Sequence, residues 1–322
     1  MWLLLKYTLL YASVLALVAL GGMFSERSGV INIALEGIMV IGGLMGVVMI
    51  NILNNAGVPT ALGIVLTILA AGVAGLAYSS LLAFSAVNLK ADQTIGGTAL
   101  NLLATALAIV VAKRINGNDS PRIVYNANHN KVLNNLDFSF DIGPLTINWF
   151  VVVTVIVVIA ACFVLYRTRF GMRLMACGEH PQAADSVGIN VYKMRWSGVL
   201  ISGFLGGIGG MAYIVPAVGD WNFEAGVAGM GFLALAVMIF GQWKPGRISL
   251  VALFFSVFLS LSFIYNGFFY SIFGKYLTSE DGVNAELFKM IPYILSLLLL
   301  AFTSKNHHAP KAEGIPYDKE AR

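Results

Sequence analysis

The strongest constraint on this chain is a succession of apolar runs, at about 2–23, 30–51, 59–84, 95–113, 148–166, 195–216, 228–242, 247–266 and 290–303. A helix crossing the ~30 Å hydrocarbon layer of a bilayer needs roughly 20 mostly apolar residues. The two shortest runs, 228–242 and 290–303, fall below that length and read as broken or re-entrant segments. The expected fold is therefore an all-α polytopic membrane protein of about nine transmembrane helices (eight to ten). Composition agrees: only 11% of residues are charged, less than half the ~25% that solvates an ordinary soluble surface. Four His and two Cys, scattered through 322 residues, argue against a Cys/His metal cage or a disulfide scaffold. The first run lacks a small-residue cleavage site and continues into Phe24-Ser25-Glu26-Arg27-Ser28-Gly29, so it reads as a span and not a signal peptide.

Lys and Arg set the expected orientation, because short cytoplasmic loops carry the excess of positive charge. The loop after the fifth run holds Arg167, Arg169, Arg173, Lys193 and Arg195. If it is cytoplasmic, Arg27, Lys90, Lys244, Arg247, Lys305, Lys311, Lys319 and Arg322 lie inside with it, thirteen of the 20 basic residues. The expectation is a cell-membrane protein with its N-terminus outside and its C-terminus inside. A transmembrane domain then covers 1–306, with a cytoplasmic tail over 307–322. The Asn-rich stretch 114–147 becomes an external loop, in which the Phe138–Ile142 alternation predicts a short strand or hairpin.

Three polar interruptions share one pattern: Ser25–Gly37, Asn88–Asn101, and Gly219–Gly226 followed by Gly229–Phe232. Each sets a carboxylate or amide and glycine before, or just inside, an apolar helix. That pattern suits a discontinuous helix whose free backbone N–H groups point at a polar ligand. Ser25 and Asp92 fit loop ends or helix caps. Asn32, Glu36 and Asn101 are harder to dismiss, since polar groups within apolar sequence are costly in a membrane and usually face a cavity. For Glu36 a pathway role and a structural hydrogen bond are both open. The spacings Gly42/Gly46, Gly203/Gly207 and Gly206/Gly210 predict close helix packing. In the basic loop, Pro181 suits a first helical turn and Gly188 a stop, which predicts a short helix between them. It would be either a docking element or a solvated connector.

These segments resemble the permease subunits of ATP-binding-cassette importers in the simple-sugar, nucleoside and branched-chain amino-acid group, and most of all the nucleoside (purine or guanosine-type) permeases. Glu26–Met39 resembles the signature E-R-[SA]-G-[VI]-x-N-[IL]-x-L-E-G-x-[ML]. Phe170-Gly171-Met172-Arg173, Gly178-Glu179-His180-Pro181-x-Ala183-Ala184 and Gly188-Ile189 resemble the coupling loop, with His180 where many relatives carry Asn. Gly231–Ala236 and Gly241-Gln242-Trp243-Lys244-Pro245-Gly246 resemble a third block. The resemblance implies a type II-related importer permease fold. It also implies a second related permease, two ATPase subunits that use ATP and Mg, an extracytoplasmic substrate-binding lipoprotein, and no cofactor on this chain. Nucleoside, or a simple sugar, would be the substrate, and no nucleic acid is bound. On this view 167–194 is a cytoplasmic coupling loop in which Gly178, Glu179, His180, Pro181, Ala183, Ala184, Asp185 and Gly188 meet the ATPase, and Asp at 178 or 184 should uncouple transport. Asn32, Glu36, Asn101, Trp221, Phe223 and Glu224 become candidate pathway residues, since bases stack on rings and ribose hydroxyls need hydrogen-bond partners.

Two other classes are weighed against this. An enzyme would need a nucleophile, a metal cluster or paired acids, and the sequence has neither H-E-x-x-H nor G-x-S-x-G. A phosphate loop is excluded too, because Phe269 and Tyr276 stand where Gly and Ser/Thr are required. An ion-gradient-driven secondary transporter suits the broken helices equally well, but it would have no use for a docking loop.

Overall fold

The structure is a computed structural model that describes residues 2–117, 119–124, 135–143, 145–216, 220–273, 290, 294 and 309–319. The run at 290–303 expected as a further span, and most of the Asn-rich stretch, lie outside the described residues. Within them, eight helices are long and apolar enough to cross a membrane. They are α1 (Trp2–Arg27), α2 (Leu35–Ala56), α3 (Thr60–Ala83), α4 (Gln93–Asn116), α5 (Trp149–Arg167), α8 (Val191–Ile214), α9 (Met230–Phe240), whose crossing segment begins at Phe223, and α10 (Pro245–Phe273). A π turn at Phe84–Asn88 prolongs α3, and a 3₁₀ turn at Phe223–Ala225 precedes α9. Two short helices, α6 (Arg169–Glu179) and α7 (Pro181–Ser186), occupy the basic loop.

Lipid tails are as apolar as leucine, so burial of apolar surface does not drive these helices together; close backbone contact does. The glycine spacings identify where. A Cβ on Gly42 would overlap the backbone of Gly207, and one on Gly207 the carbonyl of Ala71. A Cβ on Gly210 would meet the Met39 carbonyl. The glycine face of α8 is therefore wedged between α2 and α3, and α8 packs most extensively on α1, α2 and α3. These form the interior, whereas α4 and α5 expose most of their length, including Leu102, Val110 and Ile159.

Hydrogen bonds end the helices where the side chains dictate. The Asp92 carboxylate accepts from the backbone N–H of Thr94 and Ile95 at 2.8 and 2.9 Å and caps α4. At the end of the Asn-rich stretch β2 (Ser139–Ile142) pairs antiparallel with β3 (Leu145–Asn148), with Phe140 opposite Ile147, in the hairpin that the alternation suggested. A second pair was not anticipated. β1 (Arg122–Val124) binds β4 (Asp220–Asn222) in antiparallel register, reinforced by an Arg122–Asp220 ion pair. It ties the connection after α4 to the one before α9.

At the opposite end of the bundle the basic residues gather. Arg27 donates to the Trp243 carbonyl, Lys90 pairs with Asp318 at 2.9 Å, and the backbone N–H of Ala312 donates to the Gly178 carbonyl at 2.8 Å. The first signature block thus meets the third, since the indole N–H of Trp243 donates to the Glu26 carboxylate at 2.6 Å.

Candidate functional site

The second apolar run, expected to be helical from about residue 30, starts its helix only at Leu35. Gly29, at φ +95°, terminates α1 in the left-handed region that glycine adopts without strain. Residues 30–34 then run back into the bundle as irregular backbone, which is tolerated at membrane depth only where protein satisfies its polar groups. Several of the donors and acceptors along the break have named partners. The Ser25 hydroxyl donates to the Val30 carbonyl at 2.7 Å, and the N–H of Ile31 donates to the Gln93 side chain at 2.7 Å. Asn101 bridges the break: its amide donates to the Ile33 carbonyl at 2.9 Å, while its oxygen accepts from the N–H of Gly37 at 2.7 Å. That second bond caps the new helix from α4.

The same logic closes the neighbouring helix. Glu36, in the first turn of α2, accepts from the N–H of Gly229 at 2.8 Å and of Gly231 at 2.7 Å. A carboxylate at a helix N-terminus binds its free N–H groups and opposes the positive end of the dipole. A Cβ on Gly231 would strike the Glu36 backbone, so only glycine allows the approach. Two broken-helix N-termini, those of α2 and α9, thus converge on one carboxylate and one amide. Glu36 and Asn101 have the structural hydrogen bonds that the sequence left open.

Two polar groups here are incompletely paired. Asn32 is fully buried and donates to the Ser202 hydroxyl at 2.8 Å, yet its Oδ1 has no hydrogen-bond partner among the described residues. Gln93 is buried and accepts from Ile31, while its Nε2 is likewise unpartnered among them. Buried groups in that condition are uncommon and call for an explanation. Gln93 was missed at the sequence level, being read as part of a polar lead-in; its position directly after the capping Asp92 was the available signal.

The third polar segment lies at the β1–β4 end. Trp221 is half-buried, packs edge-on against Tyr213 at 5.5 Å and donates its indole N–H to the Gly226 carbonyl at 3.0 Å. Phe223 is fully buried. Glu224 is exposed, accepting from the Asn222 amide at 3.4 Å.

The coupling segment differs in one respect from the pattern of a helix with an outward alanine face. Pro181 does start α7, and Gly188 follows it at φ +83°. The orientation, however, divides the eight named residues. Gly178, Pro181 and Ala184 are buried in the chain itself, Glu179 and Asp185 are half-buried, and His180, Ala183 and Gly188 are exposed. Gln182, Ser186 and Val187 complete the outer surface, Val187 with 74% of its area exposed. A Cβ on Gly178 would overlap the carbonyl of Arg27. The α6–α7 junction therefore rests directly on the end of α1, a few residues from Asn32. Asp at 178 or 184 would damage this internal contact, so those substitutions do not isolate an outer docking surface.

Eight membrane-length helices among the described residues, packed around an internally capped break, define a multi-pass membrane protein. Comparison with known proteins specifies the kind. Residues 4–300 match the family described as branched-chain amino acid transport system / permease component, and the chain belongs to that family. It is 38% identical over 313 residues to the nucleoside ABC transporter permease protein NupC of Lactococcus lactis, covering 97% of this chain and 95% of that one. It is 38% identical over 321 residues to the guanosine ABC transporter permease protein NupQ of Bacillus subtilis, covering 98% and 96%. A putative glucose ABC transporter permease protein, TsgC13 of Haloferax volcanii, is 28% identical over 313 residues, 93% of this chain and 91% of that one. No solved structure matches. The chain is a transport component and not an enzyme.

Proposed function

We propose that this chain is one permease subunit of an ATP-binding-cassette importer for nucleosides, forming half of the translocation pathway. The observation that carries the proposal is its 38% identity, over nearly the whole of each chain, to a nucleoside and a guanosine permease. The partners would be a second related permease, two ATPase subunits that hold ATP and Mg, and an external lipoprotein that delivers substrate. This chain would hold no cofactor of its own and bind no nucleic acid. It would sit in a bacterial cell membrane with its N-terminus outside and the α6–α7 end inside.

In this scheme the exposed face of α7, His180, Ala183 and Val187, seats in the ATPase, and the α6–α7 junction passes the displacement to α1 through the Gly178–Arg27 contact. Asn32, Glu36 and Asn101 hold the broken helices beside the pathway. Trp221 and Glu224 offer a ring and a carboxylate near its outer end, with Phe223 buried behind them. A stacking surface and an acceptor suit a base and a ribose.

The test is co-expression with the neighbouring ATPase, permease and lipoprotein genes, reconstitution in lipid, and measurement of ATPase stimulation by guanosine, uridine and glucose. Stimulation by nucleoside-loaded lipoprotein, abolished by Ala183→Asp, is the expected result. Stimulation by glucose alone would favour the sugar reading, which the similarity to the glucose permease supports. Uptake that needs an ion gradient and no ATPase would overturn the importer.

A further inference from the structure

The segment 309–319 lies across the same end of the bundle and touches every element that a coupling mechanism would use. The backbone N–H of Ala312 donates to the Gly178 carbonyl at 2.8 Å, and that of Gly314 to the Gly29 carbonyl at 3.3 Å. Arg195 of α8 donates to the Ile315 carbonyl at 2.8 Å. Tyr317 packs edge-on against Tyr192 at 5.4 Å and is buried with Cys177, Ala184 and Val191 in a small apolar cluster separate from the main core. The segment thus binds α6 by its backbone, α7 by a side chain, and the α1–α2 break by its backbone.

We infer that residues 309–319 form a strap that positions α7 relative to the α1–α2 break, with Tyr317 as its anchor and Ala312 as its hinge on α6. This rests on the proposal that α7 receives the ATPase. The strap fixes the inner face of α7 through Ala184, which is buried with Tyr317, and leaves the outer face of His180, Ala183 and Val187 free for a partner. It also makes Gly29 and Gly178 move together, since one short segment is hydrogen-bonded to both. Docking is not unconditionally favoured. Arg195 is 1% exposed, and its Nε and Nη2 have no hydrogen-bond partner among the described residues. A buried cation so thinly paired disfavours the closed arrangement, which suits a strap that yields during a cycle.

Cys177 reports on the strap. It is fully buried beneath Tyr317, and burial pushes its thiol up to about 11 from the ordinary 9.0. Reaction with maleimide proceeds through the thiolate. Releasing the strap should therefore speed labelling about tenfold at neutral pH, since each unit recovered raises the thiolate fraction tenfold but lowers its nucleophilicity. The experiment uses the assembled complex in lipid, in a Cys162→Ala background, with a fluorescent maleimide as probe. Tyr317→Ala should expose Cys177, keep the ATPase subunits bound, and uncouple ATP hydrolysis from uptake by tenfold or more. Tyr317→Phe, which retains the ring, should restore both protection and transport to within about twofold of wild type. Ala312→Pro removes the N–H that meets Gly178 without touching the cluster, and should uncouple in the same way.

Rapid labelling of Cys177 in the wild type would overturn the strap, as would normal transport by Tyr317→Ala with Cys177 exposed. If Tyr317→Ala fails to assemble, Ala312→Pro decides: coupled transport in that variant refutes the hinge. Ala183→Asp separates this inference from the docking proposal. Retention of the ATPase by Ala183→Asp refutes docking itself, whereas loss of the ATPase together with normal transport by Tyr317→Ala refutes the strap alone.

Discussion

Replacing Glu36 by Gln tests whether the carboxylate is the cap that holds α9 to α2. In the wild type both carboxylate oxygens accept, one from Gly229 at 2.8 Å and one from Gly231 at 2.7 Å. The amide of Gln has one acceptor, and its NH₂ would face the second backbone N–H as donor against donor. One N–H at the start of α9 is left unpaired in a partly buried site, which costs about 1–3 kcal/mol. Loss of the negative charge at that helix N-terminus adds roughly 0.3–1 kcal/mol. The sum, about 1–4 kcal/mol, is large against the net stability of a folded domain. Thermal unfolding of the purified chain in detergent, followed by fluorescence-detected gel filtration, should show a midpoint lowered by about 2 °C or more. Glu224→Gln is the control, because that carboxylate is exposed and should leave the midpoint unchanged. An unchanged midpoint for Glu36→Gln would refute the capping role. Were uptake then lost from a fully stable protein, Glu36 would act on the substrate itself.

Two further outcomes are expected. Gly207→Val should abolish monodisperse expression, because its side chain would enter the Ala71 carbonyl at the seam of α8 with α3, whereas Gly246→Ala, with open space around it, should be silent in the same gel-filtration assay. The strap should also loosen as pH rises: Glu313 faces the Glu26 carboxyl, itself bonded to Trp243, and burial pushes it up to about 7 from 4.5. A carboxyl raised on docking stabilises the docked state fully below its ordinary value, and that contribution is lost as pH rises through the raised one. Spin labels at the exposed positions 187 and 315 should therefore move apart between pH 6 and 8, and Glu313→Gln should flatten the change.

The spans were legible because the bilayer imposes one length and one composition on every crossing helix, and eight of the nine runs carry helices in the described residues. Glycine packing was legible for a related reason. Small-xxx-small spacing sets two glycines on one helix face, and Gly203, Gly207 and Gly210 all meet backbone or side chains of α2 and α3. Hydropathy alone misplaced the start of α2. Val30 and Ile31 are as apolar as any helical residue, so nothing in the run marks Val30–Ala34 as non-helical. What marks it is Gly29 before it and the amides of Gln93 and Asn101 that service its backbone, and those come from a helix some sixty residues further on. A break sustained by distant hydrogen bonds leaves no local periodicity to detect.

The orientation of α7 was hidden for a different reason. A helix of six residues has fewer than two turns, so Ala183 and Ala184 differ by 100° about its axis while looking alike in sequence. Ala184 is the buried one because it packs in a cluster with Cys177, Val191 and Tyr317, the last more than a hundred positions away. The first consequence is that a charge scan of this loop read without the strap would misassign every uncoupled variant to the ATPase interface. The second is that the inner and outer faces can be separated experimentally. Asp at 183 perturbs only what approaches from outside, and Asp at 184 only what the chain itself supplies. If the two variants lost the same partner by the same amount, the division of α7 into an inner and an outer face would be wrong.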